Sequence, residues 1–334
     1  ERGFDVDDIN VSGTAAQVTE ALTDLAEMRD GAGNDDGVLT VTDNGTVEAS
    51  VAVAEAITAD DGNYYTNYTL RDTAAALDAA DNNTLAISQG VTVTTGDYTD
   101  SAAVLAIENF GSTTVEAIVD DADVLAGGAA NIDWSAVGDV STGDDSATLA
   151  EAEAIDGLAN TGTTSYSILD RPNTLGAADL TADEIAAIEN ASGTVTSNGN
   201  ASAEEASVLA SFTHAVVYNV DDADSAALAI STGLDEAVNI TATNAATAAD
   251  EANTIMAAGN SGDTVIDAVS GTAEEILSLA FGDNDVITAI TVITNCYTIT
   301  SIIFITRISR MTINIILTVI TVIFCTIFTF FITR

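Results

Sequence analysis

Short runs in which aliphatic and polar residues alternate recur along most of the chain, and each gives way to an Ala-rich stretch with a sparse helical stripe. Val91-Thr92-Val93-Thr94-Thr95 and Val238-Asn239-Ile240-Thr241-Ala242 are clear copies of the alternating pattern, aliphatic on one face and polar on the other. A second strand form, Tyr-x-aliphatic-x-Asp, occurs at Tyr68–Asp72, Tyr166–Asp170 and Tyr218–Asp222, with a degenerate copy at Ala117–Asp121. Strand starts fall near residues 6, 38, 68, 91, 115, 137, 166, 194, 217, 238 and 264. That spacing, roughly 21 to 32 residues, suits one strand-plus-helix repeat.

Helix-start signals follow the strands. Asp72, Asp121, Asp170 and Asp222 stand where an N-cap would accept a bond from a first-turn amide. Capping-box spacing reads at Thr14/Gln17, Thr181/Glu184, Ser202/Glu205 and Thr272/Glu275. Pro172 suits a first helical turn, where a missing N–H costs nothing. Apolar stripes read as Ala74/Leu77/Ala80, Ala102/Leu105/Ala106 and Ala248/Ala252/Ile255. Helices this short are marginal alone and need a sheet to pack on. Gly111, Gly162, Gly193, Gly233 and Gly262 are expected as left-handed C-caps.

A strand, a short helix and a second strand in the same direction make a right-handed crossover. Iterated, this predicts an α/β fold: an elongated right-handed solenoid of strand–helix repeats, with a parallel sheet on one side. No Pro/Ser linker divides residues 1–285, which read as one acidic repeat array. Tyr68, Tyr166 and Tyr218 are expected at equivalent places on one sheet face, packed toward the helices.

Residues 286–334 break the pattern. Acidic residues vanish and Ile, Thr, Val and Phe take over. Met311–Thr333 is long and apolar enough to be a transmembrane candidate, flanked by Arg307, Arg310 and Arg334. Two other readings stay open: a terminal strand cap, and translation of the opposite DNA strand, on which Ile, Val and Thr codons largely become Asp, Asn, Ser and Gly codons. The chain starts at Glu1 without Met or a charged-then-apolar leader, so a processed product or fragment is expected.

Charge narrows the function. Against 52 Asp+Glu stand 7 Arg and no Lys, a formal net charge of -45. Such a surface repels nucleic acid, whose binding needs cations that release counterions, and anionic lipid likewise. Hydrophobic residues make up 47%, so disorder is not expected. With aromatics at 5%, the core must be Ala, Val, Ile and Leu, which suits thin repeating layers.

Candidate chemistry is sparse. Cys296 and Cys325 lie in the tail, leaving the array no thiol for a disulfide, zinc cluster or nucleophile. His214, the single histidine, would need a partner such as Ser211 and an orienting carboxylate to act as a base. The plainer reading is a residue satisfied near a helix end. A P-loop is excluded by the absence of Lys. Carboxylate pairs abound, so a carbohydrate-active enzyme is the third function class, weakened because Trp134 is the only tryptophan. Calcium is the second class. Asp120, Asp121 and Asp123, and likewise Asp221, Asp222 and Asp224, cluster at strand-to-helix turns and are the candidate metal ligands. The alternative is that they are helix caps and surface charge. Gly31–Gly37 is similar to the Gly/Asp nonapeptide of calcium-binding β-rolls but is not iterated.

The strings Thr163–Asp170, Ala237–Ala246 and Tyr68–Leu77 resemble Ala/Asp/Thr-rich repeats of giant cell-surface proteins of marine cyanobacteria and other Gram-negative bacteria. The resemblance spans roughly residues 5 to 285; the tail departs from it. It implies a non-enzymatic, secreted or surface-exposed role in adhesion, coating or surface-linked motility. The implied partners are other copies, neighbouring surface proteins or glycans, with a membrane only through the 311–333 segment.

Overall fold

The structure, a computed structural model, describes residues 10–14, 16–21, 38–41, 47–58, 68–80, 91–93, 100–107, 113–127, 132–293 and 303–304. It is an α/β fold with a large parallel sheet and alternating strands and helices. Two compact units divide it, residues 1–167 and 168–334.

In the first unit, β1 (Asn10–Gly13) and β2 (Val38–Val41) form a separate parallel pair. The main elements are β3 (Val47–Ala49), α1 (Val51–Thr58), β4 (Tyr68–Asp72), α2 (Ala74–Ala79), β5 (Val91–Val93), α3 (Ser101–Ile107), β6 (Thr113–Val119), α4 (Ala122–Ala126), β7 (Val137–Ala147) and α5 (Leu149–Asp156). Strands β3 to β7 lie in chain order, all parallel. Strand β8 (Thr164–Asp170) begins in this unit and ends in the next.

The second unit continues with α6 (Pro172–Leu175), α7 (Ala182–Asn190), β9 (Val195–Ala201), α8 (Ala203–Leu209), β10 (Val216–Asp222), α9 (Ser225–Ile230), β11 (Ile240–Ala242), β12 (Thr247–Ala248), α10 (Ala249–Met256), β13 (Thr264–Gly271), α11 (Ala273–Leu277), β14 (Asp285–Val292) and β15 (Ile303–Phe304). Its order is β8-β9-β10-β11-β13-β14-β15, parallel except for the last pair, with the short β12 also on β13. Val286 to Val292, although past the composition change, pair in register with β13.

Sequential order in a parallel sheet, with every crossover of one hand, puts all helices on one side. In each unit consecutive helices do touch: α2 with α3 and α4 with α5, then α8 with α9, α9 with α10 and α10 with α11. The core lies between these layers. Leu70, Leu77, Ile118, Leu125 and Ile155 fill it in the first unit; Leu175, Ile188, Leu209, Tyr218, Leu228, Ile240, Ile255 and Ile266 in the second. On the opposite sheet face, Thr114, Leu169 and Val217 are exposed, and Arg71, Glu116 and Asn219 half-exposed. There Arg71 pairs with Glu48 on one side and Glu116 on the other. Leu169, Thr196 and Val217 share one lateral row.

Two expectations change. The stripe of α3 is Ser101 and Val104, both buried, rather than Ala102/Leu105/Ala106. The expected C-cap glycines are not left-handed; among the described residues, positive φ belongs to Gly143 and Gly199, within strands. Gly162 and Gly262 instead allow close backbone approach. A Cβ on Gly162 would stand 2.6 Å from the Gly138 carbonyl carbon, and one on Gly262 2.6 Å from the Val238 oxygen. Gly111 lies outside the described residues.

Candidate functional site

Where β4, β6, β7 and β10 end, each lies beside a helix N-terminus whose first amides have no partner within the helix. At four exits an aspartate answers the helix of the preceding repeat. Val51 N donates to Asp72 Oδ2 (3.0 Å), Ser101 N to Asp120 Oδ2 (2.9 Å), Ala122 N to Asp145 Oδ2 (3.0 Å) and Ala203 N to Asp222 Oδ2 (2.9 Å). Each donor is the first residue of its helix, 19 to 23 residues before the acceptor. The second oxygen of Asp72, Asp120 and Asp222 takes a local amide, from Thr73, Asp121 and Asp224. The carboxylate thereby joins two repeats through charge-assisted bonds.

This corrects the expected caps. Asp72 and Asp222 are not the N-caps of the helices that follow them; Thr73 and Asp224 are. Asp121 holds the N-cap position of α4 but makes no side-chain cap bond, and Asp170 precedes the N-cap Arg171. The capping boxes stand as read: Thr181/Glu184, Ser202/Glu205 and Thr272/Glu275 are reciprocal, Thr14 and Gln17 exchange the same bonds, and Pro172 opens α6. Thr148/Glu151 is a further box of identical spacing.

Four of the six candidate metal ligands accept hydrogen bonds from nearby amides. Asp120 and Asp222 are engaged by two amides each, Asp224 accepts from Ala226 N and Ala227 N, and Asp221 accepts from Asn200 Nδ2 at 3.3 Å. Asp121 and Asp123 are exposed. Among the described residues no three His, Cys, Asp or Glu side chains gather as a metal site. The Gly31–Gly37 stretch lies outside them.

Strand entries carry a different device. Asn160 Nδ2 donates to the Gly138 carbonyl (2.9 Å), and Thr164 Oγ1 donates back to Asn160 Oδ1 (3.1 Å). Asn260 repeats this on Val238 (3.4 Å) and Thr264 (3.1 Å). Beside each turn a side chain in or next to the previous strand accepts an amide: Asp139 of β7 from Thr163 at 2.8 Å, and Asn239, just before β11, from Asp263 at 2.9 Å. The Thr163 amide and hydroxyl hold the Asp139 carboxyl below its usual range. Glu189 does the same from a helix end, accepting from the Thr213 hydroxyl, Thr213 N and His214 N; these bonds, led by the hydroxyl, lower its pKa. The shared signal, Asn-[Ser/Thr]-Gly-x-Thr at 160–164 and 260–264, was available in the sequence.

His214 is half-buried, its backbone tied to Glu189, while the Ser211 hydroxyl donates to the Val208 carbonyl at 2.6 Å. Tyr166 and Tyr218 are buried on the helix side, their hydroxyls donating to Asp156 (3.2 Å) and the Gly233 carbonyl (2.6 Å). Burial first, then nearby carboxylates, pushes both phenol pKa values up. The Tyr68 side chain lies outside the described residues.

No protein-family model, curated protein or solved structure matches the chain. Among the described residues no helix is long and apolar enough to cross a membrane; Met311–Thr333 lies outside them. What the strand-exit carboxylates do chemically is accept amide hydrogens between repeats.

Proposed function

We propose that the chain serves as a non-enzymatic, extracellular structural repeat protein whose strand–helix repeats are successive turns of an elongated right-handed solenoid in a cell-surface layer or fibre. The observation that carries this reading is the recurring tie from a strand-exit aspartate to the preceding helix, at Asp72, Asp120, Asp145 and Asp222. Carboxylates placed this way hold one repeat to the next, so length grows by adding similar units. The net charge of -45 keeps such a rod hydrated and separate from its neighbours. Its partners on this reading are further copies, other surface proteins or glycans. Immunogold labelling of intact cells, paired with protease shaving, tests it. Label on unpermeabilised cells that disappears on shaving is the expected result; label reached only after permeabilisation overturns it.

A further inference from the structure

The parallel order of the second unit ends at β14, where the chain direction reverses. Strand β15 runs antiparallel, Ala289 opposite Phe304 and Ile290 opposite Ile303. Any terminal strand of a parallel array exposes a row of N–H and C=O groups able to accept another strand. Three observations bear on what occupies this one. First, every parallel neighbour in the sheet arrives by a crossover, whereas β15 comes back in the opposite direction. Second, the sequence that leaves β14 carries neither device that opens a following helix elsewhere in the chain, having no aspartate and no Ser/Thr-x-x-Glu/Gln box. Strands β4, β6, β7 and β10 are each followed closely by, or end in, an aspartate that takes a helix amide; β14 leads into Ile293-Thr294-Asn295. Third, the charge that keeps copies apart stops here. All 52 acidic residues lie at or before Asp285, while Ile293, just beyond β14, is an exposed aliphatic residue, 49% accessible. An acid-free, β-branched edge is the place where copies of this chain would join.

We infer that the outer edge of β14 is a strand-acceptor site whose occupant is this chain's own Ile303–Phe304 strand, acting as a stop that ends the parallel array and keeps a second copy off that edge. The antiparallel direction is what makes it a stop, because a further strand–helix repeat enters parallel. Arg307 and Arg310 follow the strand within one short stretch. They are charges of the kind that flank sticky strands and discourage stacking of like segments.

The test uses the full chain and an Ile303→Pro/Phe304→Pro variant, since proline removes the amide donors of the pairing strand. Hydrogen exchange is read at Ala289 and Ile290, with Ala182–Asn190 and Val216–Asp222 as internal controls for an intact fold. The variant is expected to exchange at one or both β14 amides at least about tenfold faster (a loss of protection typical of an uncovered edge), with the controls unchanged, and to self-associate as concentration rises in sedimentation velocity. An excess of a synthetic peptide carrying residues 299–308 is expected to restore the protection. Unchanged exchange at both amides overturns the assignment. So does a parent chain that sediments as a dimer and loses β14 protection on dilution, because the occupant is then a second copy. Should the proline variant lose protection at the control amides too, Ile303→Gly/Phe304→Gly, which weakens the pairing and keeps its donors, gives the same readout.

Discussion

Helices α4 and α7 meet the same need from opposite directions. In α7 the cap is local: Thr181 accepts from Glu184 N, and Glu184 reaches back to Thr181 N at 2.7 Å. In α4 the N-cap residue Asp121 makes no such bond, and the first amide is taken by Asp145 from the strand of the next repeat. A local cap fixes one helix and is indifferent to its neighbours. A carboxylate arriving from the following strand fixes the helix only when the two repeats are in register, so it couples secondary structure to stacking. The first unit uses this coupling at α1, α3 and α4; the second uses it at α8 and has local boxes at α7 and α11.

The largest effect is expected at Asp222, which holds two amides at once. Asp222→Ala should cost about 2–3 kcal/mol in chemical denaturation. Ala203→Pro removes the long-range donor while suiting a first helical position. In that background Asp222→Ala should cost about 1 kcal/mol less. An unchanged cost would show that the clasp between repeats contributes nothing.

Next comes the direct contrast. Asp145→Ala should cost about 1–2 kcal/mol and Thr181→Ala about 1 kcal/mol. Hydrogen exchange separates them further. Loss of Asp145 should raise exchange in both α4 and β7, loss of Thr181 in α7 alone; identical spread would erase the distinction between the two kinds of cap.

Strand entries sharpen the comparison by pH. The Glu189 carboxyl is held below its usual range by Thr213 and His214 bonds, so its contribution is present above the unfolded-state pKa, about 4.3. It is lost as pH falls through the lower folded value. Melting temperature followed from pH 6 to 3 should therefore fall less steeply in Glu189→Gln than in the parent. Parallel curves would remove Glu189 from the set of inter-repeat ties.

The smallest expected effect is none. With Asp120 and Asp222 already filled by backbone amides, calcium and magnesium at matched ionic strength should raise the melting temperature equally, through screening. A calcium-only rise, abolished by Asp121→Asn/Asp123→Asn, would favour the calcium-dependent class over the purely structural one.

How much the sequence disclosed follows from distance along the chain. Thr181/Glu184 and Ser202/Glu205 are legible because both partners sit within one turn, and Thr148/Glu151 could have been read by the same rule. The burial of Tyr166 and Tyr218 follows from strand alternation. The strand-exit aspartates were visible, but their partners were not. A carboxylate at a helix start looks like that helix's own cap, and only the stacking of strands reveals an amide 19 to 23 residues upstream. The same limit applies to Gly162 and Gly262. A glycine after a helix suggests a left-handed turn, while its actual constraint is the neighbouring strand's backbone, which no local pattern encodes.

The strand-exit clasp also defines what can be copied in a gene. Its two ends bracket Val51–Asp72, Ser101–Asp120, Ala122–Asp145 and Ala203–Asp222, segments that run from a helix start to the end of the next strand. A duplication or recombination whose breakpoints fall outside such a segment carries the donor and its acceptor together. One that cuts between helix and strand separates them and must find a matching aspartate in the recipient. Growth and exchange of these arrays should therefore favour helix-to-strand cassettes, with breakpoints at the strand-exit turns, even though the eye parses the fold as strand followed by helix.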